Sequence, residues 1–324
     1  MKKLKAVFVT CDPERIDAVY TQKQKEHLAS LCDLMPGTYS ADDVRAGRTA
    51  EAEVFFSTWG IPVLTEEELE KVPRLKAVFY AAGATDHFAR PYFAKGIHVI
   101  SAWRMNAIPV AEFCHAQIIL ALKGYFRNSM HIRRTRSWAD AFPLVGPGAY
   151  GETVALIGAG AISTLLKEKL EQHDLNVIVV PSRPERRTVS ILEAFSKAFV
   201  ISNHLPNRTD NIRCIGRAEF EAMRPGAVFI NTGRGAQIDE EAMNDVFRKR
   251  QDLTALLDVT SPEPPGPESA LYDLPNVRMS SHIAGSLNDE THRMADCVIA
   301  EFERFLEGKP FLHEVTEDML LTAK

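Results

Sequence analysis

The sequence contains no C-x-x-C pair, and its five cysteines (Cys11, Cys32, Cys114, Cys214 and Cys297) are scattered and odd in number. That spacing argues against a disulfide framework or a zinc site, so the expected setting is reduced and cytoplasmic and no metal is expected. Long basic runs are also missing, and the net charge is -5. Nucleic acid is therefore not expected as a partner, although small anions can still be bound locally. No stretch is seen to approach the roughly 20 apolar residues of a membrane span, so no membrane partner is expected either. The opening M-K-K-L-K-A-V-F-V-T turns from basic to apolar but breaks at Cys11-Asp12-Pro13 without a small-residue cleavage site, which predicts a first strand rather than a signal peptide.

What is present is a chain of 324 residues with 45% hydrophobic content, more than one ordinary core accommodates, and two domains are expected. Short apolar runs at 6–10, 53–58, 77–81 and 98–101 alternate with helical stretches, the pattern of a parallel sheet flanked by helices. A long helix is predicted from about Pro109 to Phe126. A second alternation then runs through 153–157, 176–180, 198–202, 227–231 and 253–258, each a candidate buried strand. An amphipathic helix is predicted from Asn288 to Gly308, with Met294, Val298, Phe302 and Phe305 on one side.

In V-A-L-I-G-A-G-A-I-S, Gly158, Gly160 and Ser163 fall in G-x-G-x-x-G register directly after a strand and at the mouth of a helix. Gly158 permits a tight turn, and Gly160 permits close approach of a pyrophosphate to the amides around Ala161 and Ile162. The carboxylate expected about 20 residues on, for an adenosine ribose, is absent. Pro181-Ser182-Arg183 stands there instead, followed by Arg186 and Arg187. A serine and a guanidinium without a competing acid suit a 2′-phosphate, so NADP(H) is the preferred cofactor, with NAD(H) as the alternative. A solvated arginine cluster is the other reading of these side chains.

Three further runs are jointly specific: M-R-P-G-A-V-F-I-N-T-G-R-G-A-Q-I-D at 223–239, L-L-D-V-T-S-P-E-P at 256–264 and L-P-N-V-R-M-S-S-H-I-A-G-S at 274–286. They supply a cation, a carboxylate and an imidazole downstream of the nucleotide turn. With H-L-P at 204–206, A-A-G-A-T-D at 81–86 and N-A-I-P-V-A-E at 106–112, the chain resembles the D-isomer-specific 2-hydroxyacid dehydrogenases over most of its length.

The resemblance implies an α/β fold of two doubly wound parallel-sheet domains. A Rossmann dinucleotide-binding domain, residues 102–287, is inserted into a flavodoxin-like substrate-binding domain of residues 1–101 and 288–324. It implies Arg234 as the residue that binds and polarises substrate, His282 as the acid/base and Glu263 as the carboxylate that orients it. Asp258 matches a residue that hydrogen-bonds the nicotinamide carboxamide, while Thr232, Gly233, His204 and Pro206 match positions along the cofactor. Gly83 and Ala84 match backbone donors to the substrate carboxylate. The implied activity is hydride transfer between NADP(H) or NAD(H) and a small 2-oxo acid, such as glyoxylate or hydroxypyruvate, by a homodimer. A rival is a dinucleotide-responsive dimeric scaffold, like the corepressors that resemble these enzymes, with little turnover. Ser163 in place of a third glycine and Gly233 in place of Ala or Ser depart from the pattern, and Tyr80, Trp103, Arg104 and Trp138 are unusual bulky or charged residues that either shape substrate choice or simply pack.

Overall fold

The structure, a computed structural model, describes residues 3–141 and 144–322. The chain divides into two compact units: Met1–Ala107 with Ser286–Lys324, and Ile108–Gly285. These borders differ from the expected ones at 101/102 and 287/288, because the helix Trp103–Leu122 begins within the first unit and continues into the second.

The first unit is built on β1 (Lys5–Val9), β2 (Asp33–Tyr39), β3 (Val54–Ser57), β4 (Ala77–Tyr80) and β5 (His98–Ser101), in the order β2-β1-β3-β4-β5 with every pairing parallel. Strands β3 and β4 are buried along their whole length, which is why V-F-F-S and A-V-F-Y appear as unbroken apolar runs rather than alternating ones. One face packs Val7, Phe55, Val78 and Val99 with the helices that follow the strands. The other packs Phe8, Phe56 and Phe79 against Met294, Val298 and Phe302 of the helix His292–Leu306. Phe302 meets Phe56 and Phe79 edge-on at centroid distances of 5.1 and 5.4 Å, so the C-terminal segment completes this core. That helix starts later than expected, after a short 3₁₀ turn at Asn288–Thr291.

The second unit holds β6 (Thr153–Ile157), β7 (Asn176–Val180), β8 (Val200–Asn203), β9 (Val228–Asn231), β10 (Thr254–Leu257) and β11 (Val277–Met279). Their order is β11-β10-β9-β8-β6-β7, all parallel, so the winding reverses at β6. In an open sheet of this kind, ligands bind outside the C-terminal strand ends at that reversal. The long helix differs from its predicted span. Pro109 lies inside Trp103–Leu122 rather than at its start, and Gly124, with φ +73°, separates it from a second helix, Tyr125–Thr135. The expectation that no stretch approaches a membrane span is also corrected: Trp103–Leu122 has 20 residues and is long and apolar enough by length and composition. Within the second unit its Val110, Ala111, Cys114, Ile118 and Leu122 pack on Val154, Leu156 and Ile230, the burial expected of a core helix.

Candidate active site

All six strands of the second unit run the same way, so the turns carrying Gly158, Ser182, His204, Arg234, Glu263 and His282 leave one edge of one sheet. Gly158 has φ +113°, and a Cβ there would stand 2.5 Å from the carbonyl oxygen of His204. Only glycine fits that turn. A Cβ at Gly160 would meet nothing within 4 Å. The helix Ala161–Leu170 that follows has no side-chain cap, which leaves the first-turn amides of Ala161 and Ile162 and the positive end of the dipole available for an anion. This cradle fits a dinucleotide pyrophosphate. Ser163, the departure from the third glycine, is buried with its hydroxyl unpartnered among the described residues.

Beyond β7 the arginines divide their roles. Arg187 donates from Nε to the Pro181 carbonyl at 2.8 Å and from Nη2 to that of Ser182 at 2.7 Å, so it builds the loop. Arg183, partly exposed, forms no hydrogen bond or ion pair through its side chain with another described residue. His204 is buried, with Nε2 2.8 Å from Ser202 Oγ and Nδ1 3.3 Å from Thr232 Oγ1. Burial pushes its pKa down to about 3 and keeps the ring neutral. The ring expected along the cofactor is therefore fully engaged inside the protein, and His204 faces the glycine turn through its carbonyl. The Pro206 carbonyl is likewise taken, by Gln237 Nε2 at 2.9 Å and Asn211 Nδ2 at 2.9 Å.

The N-T-G-R-G turn is shaped by a buried polar network that the motif reading did not single out. Asn203 Nδ2 donates to Asn231 Oδ1 at 2.9 Å and to Gln237 Oε1 at 2.7 Å, and Gln237 Oε1 also accepts the Arg234 amide at 3.1 Å. The signal available in the sequence was two asparagines ending apolar runs that have no room for unpaired polar groups. A Cβ at Gly233 would lie 2.7 Å from Gln237 Oε1 and 2.9 Å from Asn203 Nδ2, which accounts for glycine where Ala or Ser is frequent. One at Gly235 would lie 2.0 Å from the carbonyl carbon of Thr260, so the Arg234 turn presses directly on the loop that carries Glu263. The Arg234 guanidinium donates to the Gly233 carbonyl at 2.8 Å and has no carboxylate partner among the described residues.

Asp258, expected to face a nicotinamide carboxamide, also anchors a neighbouring loop. Its Oδ1 accepts from Ser280 Oγ at 2.6 Å and from the Ile283 amide at 2.9 Å, its Oδ2 from the Ala284 amide at 2.9 Å, and its carbonyl from the His282 amide at 3.0 Å. Four bonds from one residue thus fix the 280–284 loop. In that loop His282 adopts φ +58°, a conformation that a non-glycine residue keeps only when its surroundings hold it there. His282 Nδ1 lies 2.5 Å from Glu263 Oε1, with the two side chains 51% and 40% exposed. Nδ1 is thereby occupied and Nε2 is the ring nitrogen left to exchange a proton. The arrangement offers an oriented imidazole, an unpaired guanidinium and an anion cradle at one sheet edge.

In the first unit, Gly83 and Ala84 follow β4. Their amides donate to no other described residue, while the carbonyls of Ala82 and Gly83 lie 2.8 and 2.7 Å from Ser101 Oγ. Glu112, the last residue of the N-A-I-P-V-A-E run, pairs with Lys169 of the helix Ala161–Leu170 at 3.3 Å.

Residues 116–284 match the sequence profile described as "D-isomer specific 2-hydroxyacid dehydrogenase, NAD binding domain". A D-3-phosphoglycerate dehydrogenase of Archaeoglobus fulgidus is 26% identical over 68% of this chain, a match that spans 43% of that relative's length. A glyoxylate reductase of Thermofilum pendens is 27% identical over 75% of each chain. The crystal structure of a phosphoglycerate oxidoreductase from Rhizobium etli superposes with a TM-score of 0.81 over 98% of this chain and 100% of that one at 19% identity, which concerns the fold alone.

Proposed function

The chain belongs to the D-isomer-specific 2-hydroxyacid dehydrogenases, and on that premise we propose that it interconverts a small 2-oxo acid and its D-2-hydroxy acid, with NADP(H) preferred over NAD(H). The observation that carries this reading is the 2.5 Å contact of His282 Nδ1 with Glu263 Oε1 at the sheet edge that also carries Arg234, a guanidinium with no carboxylate partner among the described residues. When bound, the dinucleotide supplies or accepts the hydride at C2 of the substrate. Gly158, Gly160, Ala161 and Ile162 would hold its pyrophosphate, Ser182 and Arg183 the 2′-phosphate, and Thr232 and Gly233 would lie along it.

Arg234 binds the substrate carboxylate and draws electron density from the 2-oxo group, a task that suits a planar fork of donors. His282 Nε2 gives its proton to the carbonyl oxygen as the carbon takes the hydride, and removes that proton in the reverse direction. Glu263 keeps the ring oriented, and Asp258 keeps its loop in place. The family resemblance assigns Gly83 and Ala84, in the proposed substrate-binding unit, a role as backbone donors to a substrate carboxylate. The family resemblance carries with it a homodimer, and the odd number and scattered positions of the five cysteines favour a reducing, cytoplasmic setting.

Loss of NADPH or NADH absorbance with glyoxylate, hydroxypyruvate and pyruvate tests this reading. His282→Ala should lower kcat by about a thousandfold with dinucleotide binding retained, and Arg183→Ala should erase the preference for NADPH. Dinucleotide binding without turnover of any 2-oxo acid by the unaltered protein would instead favour the scaffold.

A further inference from the structure

We propose that Cys114 is a positioning residue for the dinucleotide: its thiol closes a buried hydrogen-bonded ring with Ser202, His204 and Thr232 that holds two of the cofactor-bearing turns. This inference rests on the proposed dinucleotide site and deepens it by naming what fixes that site from inside the core of the second unit.

The thiol projects from the long helix Trp103–Leu122, and all four members of the ring are buried. Cys114 Sγ lies 3.3 Å from Thr232 Oγ1 and also meets the Ser202 hydroxyl. Thr232 Oγ1 is 3.3 Å from His204 Nδ1 and Ser202 Oγ is 2.8 Å from His204 Nε2, so the four side chains close on themselves. Burial pushes the thiol up to about 11, and the sulfur therefore keeps its proton at neutral pH. With His204 neutral, each member has one proton to give and can accept one in return. Four protons then fill four bonds, provided that all of them point the same way round the ring. Removing any one member leaves a donor buried without an acceptor, which is costly in a low-dielectric core.

The place of the ring gives it its effect. The His204 amide donates to the Ile157 carbonyl at 2.7 Å, and the His204 carbonyl oxygen is the atom 2.5 Å from the position of a Cβ on Gly158. That backbone therefore forms one wall of the glycine turn. Thr232 stands between Asn231, which accepts from Asn203, and Gly233, so the second turn is tied to the same ring through its hydroxyl. The Arg234 amide is held separately, by Gln237 Oε1 at 3.1 Å. Opening the ring at Cys114 thus loosens the walls of the dinucleotide site while the Asn203 and Gln237 network still holds the Arg234 turn.

The test measures NADPH dissociation constants by fluorescence titration, melting temperatures, and kcat and KM with glyoxylate, hydroxypyruvate and pyruvate, for the full-length protein and for Cys114→Ala and Cys114→Ser. Cys114→Ala should weaken NADPH binding and raise the KM for NADPH by about 10-fold, with kcat at saturating NADPH falling by no more than about threefold. Cys114→Ser keeps one donor and one acceptor and should recover most of that affinity. Were Cys114→Ala not to fold, Ser202→Ala opens the same ring from its other side and carries the same expectation. A melting temperature that falls while the NADPH dissociation constant stays within about twofold would make the thiol a packing group only and overturn the inference. A serine variant as weak as the alanine one overturns it as well. If the unaltered protein binds NADPH but turns over none of the acids, the reductase reading falls while the affinities still decide the role of Cys114. Binding of neither NADPH nor NADH by the unaltered protein overturns both.

Discussion

His204 shows how one side chain ties the site to stability. Both ring nitrogens meet hydroxyls, of Ser202 and Thr232, and burial pushes its pKa down to about 3, whereas the ring in an unfolded chain titrates near 6.5. Between those values the unfolded chain binds a proton that the folded one refuses. The stability from the neutral buried ring is therefore fully present above about pH 6.5 and falls as the pH drops toward 3. At pH 5 the loss is roughly 2 kcal/mol. Urea unfolding at pH 7.5 and pH 5 should show the unaltered protein losing about that much more than His204→Gln, which cannot titrate. Equal losses would mean that the ring takes up its proton without leaving the fold.

At the scale of the element, two glycines of one turn serve different ends. Gly158 is required by the fold, since its φ is +113° and a Cβ would meet backbone at 2.5 Å. Gly158→Ala should cost about 2 kcal/mol or more. Gly160 faces open space, and alanine there should change stability by no more than about 0.5 kcal/mol while weakening dinucleotide binding at least about tenfold, because the methyl would occupy the approach of the pyrophosphate. Thermal denaturation and NADPH fluorescence titration separate the two effects, and equal losses of stability would refute the distinction. The same scale shows what was legible in the sequence. Strands buried on both faces were visible as apolar runs, and the start of the helix Ala161–Leu170 followed from its glycine turn. Strand β2 was not visible, because Pro36 and Gly37 interrupt it and its pairing with β1 shifts register between Ala6 and Phe8, irregularity that an edge strand tolerates. Strand β11 spans only Val277–Met279 and shows no period. The motifs located Arg234, Glu263 and His282, but the anchoring by Asp258 depends on donors 22 to 26 residues away, and the enclosure of the His204 ring depends in part on Thr232, 28 residues on. Neither is local, so neither could be read from spacing.

For the whole molecule, the consequence lies in where the cores are. Among the described residues, the apolar clusters of the first unit draw on β1 to β5 and the helix His292–Leu306, and those of the second on β6 to β11 and the helices around them, with no cluster shared. Each unit therefore buries its own apolar surface, and the chain passes between them only at 107/108 and 285/286. Units with separate cores can unfold separately. The glycine cradle, Arg183, Arg234 and His282 all belong to the second unit, so a dinucleotide should stabilise that unit alone, by about 2.7 kcal/mol at a hundred times Kd. Calorimetry should then resolve two transitions, one rising with NADPH concentration and the other fixed. His282→Ala should leave the NADPH-dependent shift in place, because the pyrophosphate cradle does not involve that side chain. Gly160→Ala should reduce the shift in step with its weaker binding. A single transition that moves as a whole with NADPH would show that the two cores melt as one cooperative block, despite sharing no apolar cluster.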